Sequence, residues 1–166
     1  MRKLVLVTVP IALAACGKKS DAPAKPINGA PVAFVAGRLT PGEPFKGSVA
    51  VEEYNFSDKR VAGYDVMIRY KDASGAVLKV RAGTPFEKDV DGTSYTGRPY
   101  ACDPQSWCKY TIDHLNVPEK AATAEVLATR VRSLADDIHF DDKPLFDSKD
   151  DHWPDTKQAA NAPSGS

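Results

Sequence analysis

The feature that most restricts the fold is a strict alternation of side-chain character between residues 64 and 71. Tyr64, Val66, Ile68 and Tyr70 occupy every second position, and mostly polar residues stand between them. A period of two residues is typical of a β-strand with one buried and one wet face. This segment therefore predicts a strand that packs on a core through one face.

Similar patterns recur along the chain. Shorter alternations at 32–34 and 49–51 predict further strands, and Asp72–Gly75 has the composition of a turn that leads into a returning strand at 77–81. Residues 100–102 and 108–112 alternate on either side of a five-residue loop, which predicts a second hairpin.

The segment 119–134 is ambiguous, because Ala, Glu and Leu favour a helix while its alternation fits a strand. We favour the strand, and we expect a last strand around Ile138 and Phe140 before Pro144. About seven short strands separated by Gly, Pro and Asp turns predict an all-β, immunoglobulin-like β-sandwich.

The first fifteen residues have a different character. Arg2 and Lys3 precede an apolar run of about ten residues, whereas a membrane-spanning helix needs roughly 20. This layout predicts a secretory signal peptide at 1–15. The string Leu-Ala-Ala-Cys-Gly at 13–17 resembles the lipobox of bacterial lipoproteins.

The lipobox resemblance implies cleavage after Ala15 and attachment of acyl chains, such as palmitate, to Cys16. Stable anchoring needs at least two lipid chains or signals, so we expect Cys16 to hold the protein on a membrane. In such lipoproteins an Asp after the cysteine favours retention in the inner membrane. Gly17 occupies that position, which favours the outer membrane, with the domain facing the periplasm or the cell surface.

The remaining 151 residues are enough for one domain with a single core. We expect a flexible, proline-rich tether at 16–31, a β-sandwich domain at 32–153 and a disordered tail at 154–166. Removal of the signal leaves 20 basic and 22 acidic side chains. This balance does not favour a nucleic acid as partner.

The lipoprotein interpretation accounts for all three cysteines. Lipidation of Cys16 leaves Cys102 and Cys108, which predict a disulfide in the oxidising compartment beyond the inner membrane. A redox pair or a metal clip is less well supported, because the spacing is not Cys-x-x-Cys and no second Cys/His pair accompanies it.

A second resemblance covers about 25 residues. Asn55-Phe56-Ser57, the alternating strand at 64–71 and the Asp-x-x-Gly turn before 77–78 look like the FxLYD-type immunoglobulin-like modules of bacterial envelope proteins. The resemblance implies the sandwich fold and leaves the function open, since this architecture hosts many activities.

No catalytic, phosphate-binding or dinucleotide-binding motif is present in the sequence. We therefore expect a non-enzymatic protein without a cofactor. The segment 136–155 is rich in Asp and His, and carboxylate oxygens and imidazole nitrogens are ligands for Ca²⁺ and Zn²⁺. The alternative function is therefore a divalent-metal-binding envelope protein, whose candidate ligands are Asp137, His139, Asp141, Asp142 and His152. A solvated acidic edge strand explains the same composition.

The two tryptophans, Trp107 and Trp153, are candidate interaction residues because tryptophan often anchors interfaces. Ordinary packing is the alternative for both. Taken together, the sequence predicts a lipid-anchored envelope protein that contacts the membrane through Cys16 and another envelope protein through its domain.

Overall fold

The computed structural model describes residues 21–136, 139–148 and 152–154. Seven strands run in the order β1 (Val32–Thr40), β2 (Gly42–Asn55), β3 (Val61–Lys71), β4 (Asp91–Thr96), β5 (Trp107–Val117), β6 (Thr123–Ser133) and β7 (Phe146–Asp147). A short 3-10 turn at Arg98–Tyr100 precedes β5. No helix in the described ranges is long and apolar enough to cross a membrane.

The strands form two antiparallel sheets. One has the order β1-β2-β5 and the other the order β4-β3-β6-β7. The immunoglobulin constant-type fold places its fourth strand beside the fifth, whereas here β4 pairs with β3. The predicted all-β sandwich of about seven strands is confirmed, and β6 confirms a strand in the ambiguous segment 119–134.

The core lies between the sheets and follows the alternation of the sequence. Val49 and Val51 on β2 face Tyr64, Val66 and Ile68 on β3, and all five are buried. Buried apolar area of this kind is the main stabilising contribution to the fold.

The strands define two ends of the sandwich. At one end Val32 pairs with Asn55 and Val61 pairs with Ser133. At the opposite end β1 turns into β2, and the long connection at 72–90 links β3 to β4. We call the first the tether end and the second the distal end.

The domain begins before β1. Ala30 is buried, the Asn28 side chain donates a hydrogen bond to the Ala128 carbonyl (2.7 Å), and the Pro31 carbonyl accepts from the Phe56 N–H (2.8 Å). Residues 28–31, which the sequence places in the tether, are therefore fixed to the sandwich. The Asn28 side chain finds its partner on β6 and the Pro31 carbonyl finds its partner just after β2, so the segment predicted to be flexible is shorter at this end.

The prediction of a returning strand at 77–81 is wrong. Val77 and Val80 make only isolated bridges, to Lys71 and Lys88, and the two strands that pair with β3 are the polar segment β4 and β6. Arg81 has φ +52°, in the left-handed region that bulky residues rarely adopt. The chain turns there, so the extended run ends before a strand can form.

The cysteine hairpin is also arranged differently. Cys102 exchanges two backbone hydrogen bonds with Val61 on β3 (2.8 and 3.0 Å), whereas Cys108 lies on β5 opposite Glu53. The Cys102–Cys108 disulfide is present, with the Cα atoms 5.7 Å apart. The disulfide joins the two sheets at the tether end, because the 3-10 turn after β4 brings Cys102 beside Val61, the first residue of β3.

The last strand lies later than predicted. Phe140 makes only an isolated bridge to Leu134, and Ile138 lies outside the described residues. β7 follows Pro144 and pairs with β6 at Arg130 and Val131.

Candidate functional site

The most exposed apolar side chains at the distal end surround one arginine. Phe45 is 51% exposed and Phe86 is 68% exposed. The Arg81 guanidinium carbon lies 4.5 Å from the ring centroid of Phe45 and 5.9 Å from that of Phe86. We call these three residues the aromatic tip. Cations are attracted to aromatic faces within about 6 Å, so the arginine holds both rings in one cluster.

Phe45 lies on an irregular part of β2. The register of β2 against β5 shifts between Gly42 and Gly47, and Phe45 has φ +55°. The Phe45 N–H donates to Asn116 Oδ1 (3.2 Å). Asn116 is buried and binds the Asp91 carboxylate through its backbone N–H (2.7 Å) and its side-chain amide. A buried polar pair thus holds the ring outward.

Arg81 and Phe86 belong to one closed loop. Val80 and Lys88 exchange two backbone hydrogen bonds (2.9 and 3.3 Å), and Val80 is fully buried. Inside the loop the Thr84 hydroxyl donates to the Arg81 carbonyl (2.8 Å) and accepts from the Phe86 N–H (3.2 Å). The loop is therefore pinned at its base and braced across its middle.

A second polar cluster is sealed inside the sandwich. Glu53 is 0% exposed, its Oε1 accepts from the Tyr64 hydroxyl (2.9 Å), and its Oε2 accepts from the Tyr110 hydroxyl (2.5 Å). The Tyr110 and Tyr95 hydroxyls are 3.1 Å apart. Burial raises the pKa of Glu53 to about 7, although the two tyrosine donors oppose the increase. We call Glu53, Tyr64, Tyr95 and Tyr110 the buried glutamate cluster.

Burial also raises the pKa of the Tyr64, Tyr95 and Tyr110 hydroxyls, and the Glu53 charge adds to the effect. All three phenols therefore stay neutral donors. Since Glu53 has no accessible surface, its carboxylate cannot meet a ligand, and it belongs to the packed interior of the domain.

The predicted metal ligands are not brought together in the described part of the chain, where no group of three or more His, Cys, Asp or Glu residues could hold an ion. Asp141 accepts from the Ser133 hydroxyl and pairs with Lys59 (3.1 Å), contacts that lower the pKa of its carboxyl. His139 Nδ1 contacts the neighbouring Asp136 carboxylate (2.9 Å).

Of the other three candidate ligands, Asp142 is exposed, and Asp137 lies outside the described residues. His152 lines a cleft beside Trp153 and Arg69.

The predicted interaction residues both pack on the domain. The Trp107 ring meets Tyr54 edge to face (5.3 Å between centroids) and is half-buried. Trp153 is also half-buried, with the Arg69 guanidinium carbon 4.3 Å from its ring centroid. Cys16, the predicted lipidation site, lies outside the described residues.

Sequence reasoning missed the aromatic tip and the buried glutamate cluster. Glu53 had a local signal, since it continues the inward series Val49 and Val51. The tip had none, because its residues stand 36 and 5 positions apart and meet only through the loop geometry.

Comparison with known proteins does not indicate a function. No family model and no curated protein matches the sequence, so the FxLYD resemblance stays a prediction. A solved structure with which the chain can be aligned is the Salmonella enterica trimeric lipoprotein SadB, with 12% identity and a TM-score of 0.38. The alignment covers 70% of this chain and 52% of that protein, so the chain spans about half its length. We base no functional conclusion on a similarity of this size.

Proposed function

We propose that this protein is a lipid-anchored, non-catalytic envelope protein whose β-sandwich binds another envelope protein through its distal end. The observation that carries the proposal is the aromatic tip, which displays two exposed phenylalanines on braced loops. Exposed aromatic and arginine side chains are enriched among the residues that anchor protein interfaces. Braced loops lower the entropy lost on binding.

The place where the chain joins the domain is compatible with binding through the distal end. The chain enters the sandwich at Asn28, against the middle of β6, and at Pro31, against Phe56 at the tether end. β1 then runs nine residues to the distal end, about 30 Å at roughly 3.3 Å per residue. With Cys16 in a membrane, preferably the outer membrane, the aromatic tip lies at the end of the domain opposite the point where the chain joins β1.

The interior supports a binding module rather than an enzyme. Glu53, whose carboxyl pKa is raised by burial, has no accessible surface and accepts hydrogen bonds from two tyrosine hydroxyls. Such a group is part of the packed interior, whereas a general acid or base must reach a substrate.

The experiment is affinity purification after crosslinking in cells. It compares the lipidated protein with Cys16→Ser and with Phe45→Ser plus Phe86→Ser. We expect a recurrent envelope protein that is recovered only with both the anchor and the tip. Val35→Ser is the matched control, since Val35 is a similarly exposed apolar residue (48%) on β1.

Equal recovery with all variants would contradict the proposal. Turnover of a substrate by the purified domain alone would contradict its non-catalytic part.

A further inference from the structure

We infer that the aromatic tip recognises a carboxylate of its protein partner through Arg81, while the two phenylalanine rings cover the apolar residues that flank this carboxylate. The inference rests on the proposed function, because it names the chemistry of the partner surface. Three observations support it, namely the unpaired state of Arg81, the rigidity of its surroundings and the position of the tip.

Arg81 lacks an anion. Its Nε atom is buried without a hydrogen-bond partner, and no acid in the described ranges forms an ion pair with its side chain. Lys79, in the same connection, pairs with Asp89 at 2.6 Å. Glu87 lies close in sequence, but its carboxylate accepts the Gly83 N–H (2.9 Å). A partly desolvated cation without an anion is unfavourable, and an external carboxylate beside the guanidinium would offset part of that cost.

The geometry suits a carboxylate in particular. A guanidinium is a planar fork of N–H donors that matches the two oxygens of a carboxylate. Because the Nε atom of Arg81 is buried, the Nη groups are the donors that a carboxylate would meet. The rings of Phe45 and Phe86 are exposed beside the cation. An acidic residue between apolar neighbours meets both parts of this surface.

The site is already formed in the free protein. Phe45 and Arg81 both have φ values near +50°, conformations that cost energy for bulky residues. Asn116 and the Val80–Lys88 bridge fix the two segments in these conformations. Strain that the surrounding structure maintains is common at binding sites, and a preformed site loses little entropy when the partner docks.

A phosphate is the other anion that an arginine fork binds, and phosphates are abundant at membrane surfaces. The tip lies at the end of the sandwich opposite Pro31 and Phe56, where the chain joins β1. We therefore assign the anion to a protein, and a lipid phosphate becomes an outcome of the test.

The test uses the full-length protein in cells, with p-benzoylphenylalanine replacing Phe86 as the photoreactive probe. Adducts are identified and mapped to the residue by mass spectrometry. We expect a protein adduct at a segment that carries Asp or Glu beside apolar residues. Arg81→Glu should lower its yield about tenfold or more, because the variant loses the hydrogen-bonded charge pair and sets two like charges against each other.

Charge exchange provides the specific readout. Changing the mapped acid of the partner to Arg should abolish the adduct with the wild-type protein and restore it with Arg81→Glu. Arg81→Lys keeps the charge and should retain part of the yield. Arg38→Glu is the matched control, because Arg38 is exposed on β1 and should leave the adduct unchanged. Thermal unfolding verifies each fold, and Arg81→Gln replaces Arg81→Glu if the latter is unfolded.

Several results would overturn the inference. They are an adduct that persists in folded Arg81→Glu, a mapped segment without a carboxylate, and an adduct to a phosphate-bearing lipid. If the probe captures nothing at position 86 but captures an anchor-dependent protein from position 35, the inference fails and an interaction function survives elsewhere on the domain. If neither position captures a protein, the proposed function fails as well.

Discussion

The buried glutamate cluster predicts that the domain becomes more stable as the pH falls from 8 to 5.5. Glu53 has an ordinary pKa of 4.5 and a pKa of about 7 in the folded protein, chiefly because burial penalises its charged form. The folded state therefore holds this proton more tightly than the unfolded state. Below pH 4.5 both states are protonated and the group has no effect. Above pH 7 folding carries the full cost of a buried charge.

The size of the effect follows from the two pKa values. The shift of about 2.5 units corresponds to about 3 kcal/mol in the free energy of unfolding, since one unit is roughly 1.4 kcal/mol. Between pH 5.5 and 8 the loss is about 2 kcal/mol by the same linkage. With an m value of about 2 kcal/mol/M, the urea midpoint should be about 1 M higher at pH 5.5 than at pH 8.

Other carboxyls do not obscure this window. Hydrogen bonds and ion pairs lower the pKa of Asp72, Glu125 and Asp141. Groups of this kind contribute stability above their ordinary pKa, and it is lost as the pH falls through the lowered value. Their effects therefore lie at more acidic pH and have the opposite sign.

Glu53→Gln isolates the contribution of Glu53. The amide stays neutral, its oxygen can accept from Tyr64, and its N–H can donate to the Tyr110 oxygen while Tyr110 donates to Tyr95. Urea unfolding of this variant at the two pH values should lose most of the pH difference, and the variant should be the more stable protein at pH 8. A wild-type midpoint that does not change, or changes equally in the variant, would refute the reasoning.

Three further predictions concern the frame of the domain. Gly47→Ala should lower the free energy of unfolding by about 1–3 kcal/mol, because a Cβ there would lie 2.6 Å from a valine methyl of β5, whereas Gly37→Ala meets only an ordinary contact at 3.5 Å; urea titrations of both variants check this difference. Replacing Cys102 and Cys108 together by Ser should cost about 2 kcal/mol, because a disulfide that closes a seven-residue loop restricts the unfolded chain; calorimetry measures it, and an unchanged melting temperature would contradict it. Asn116→Ala should cost about 1–3 kcal/mol, because the buried Asp91 carboxylate loses the side-chain amide donor and the Phe45 N–H loses its acceptor, and it should also weaken crosslinking from the aromatic tip; normal stability with normal crosslinking would show that the loop needs no such support.

The sequence predicted strands well where one face is continuously apolar. The sequence of β3 alternates from Tyr64 to Tyr70, and even the Ala-rich β6 kept enough alternation to be recognised. β4 has the sequence Asp-Gly-Thr-Ser-Tyr-Thr, in which only Asp91 and Tyr95 are buried. Its strand conformation depends on the ladder to β3, which is a tertiary contact that local sequence does not encode.

The candidate site was less predictable for the same reason. Aromatic and charged residues in loops have no periodicity, and the tip depends on two segments meeting across the distal end. Trp107 and Trp153 were predicted to be interaction residues because they are tryptophans, yet both rings are half-buried on the domain. Exposure, which distinguishes Phe86 from these tryptophans, is a property of the folded chain alone.

Charged groups have neutral partners in the interior, whereas the charged group of the tip has no anionic partner in the described part of the chain. Salt should therefore affect the stability of the fold and the binding of a partner differently. The buried acids Glu53 and Asp91 are met by neutral donors, which are tyrosine hydroxyls and the amides of Asn116. No counter-ion is screened in such contacts, so the stability of the fold should respond to pH more than to salt. Arg81, in contrast, is half-exposed and is inferred to bind a carboxylate of the partner. Added salt weakens the attraction between these two charges. Raising the ionic strength should therefore release the partner from the aromatic tip while the urea midpoint of the domain stays nearly constant.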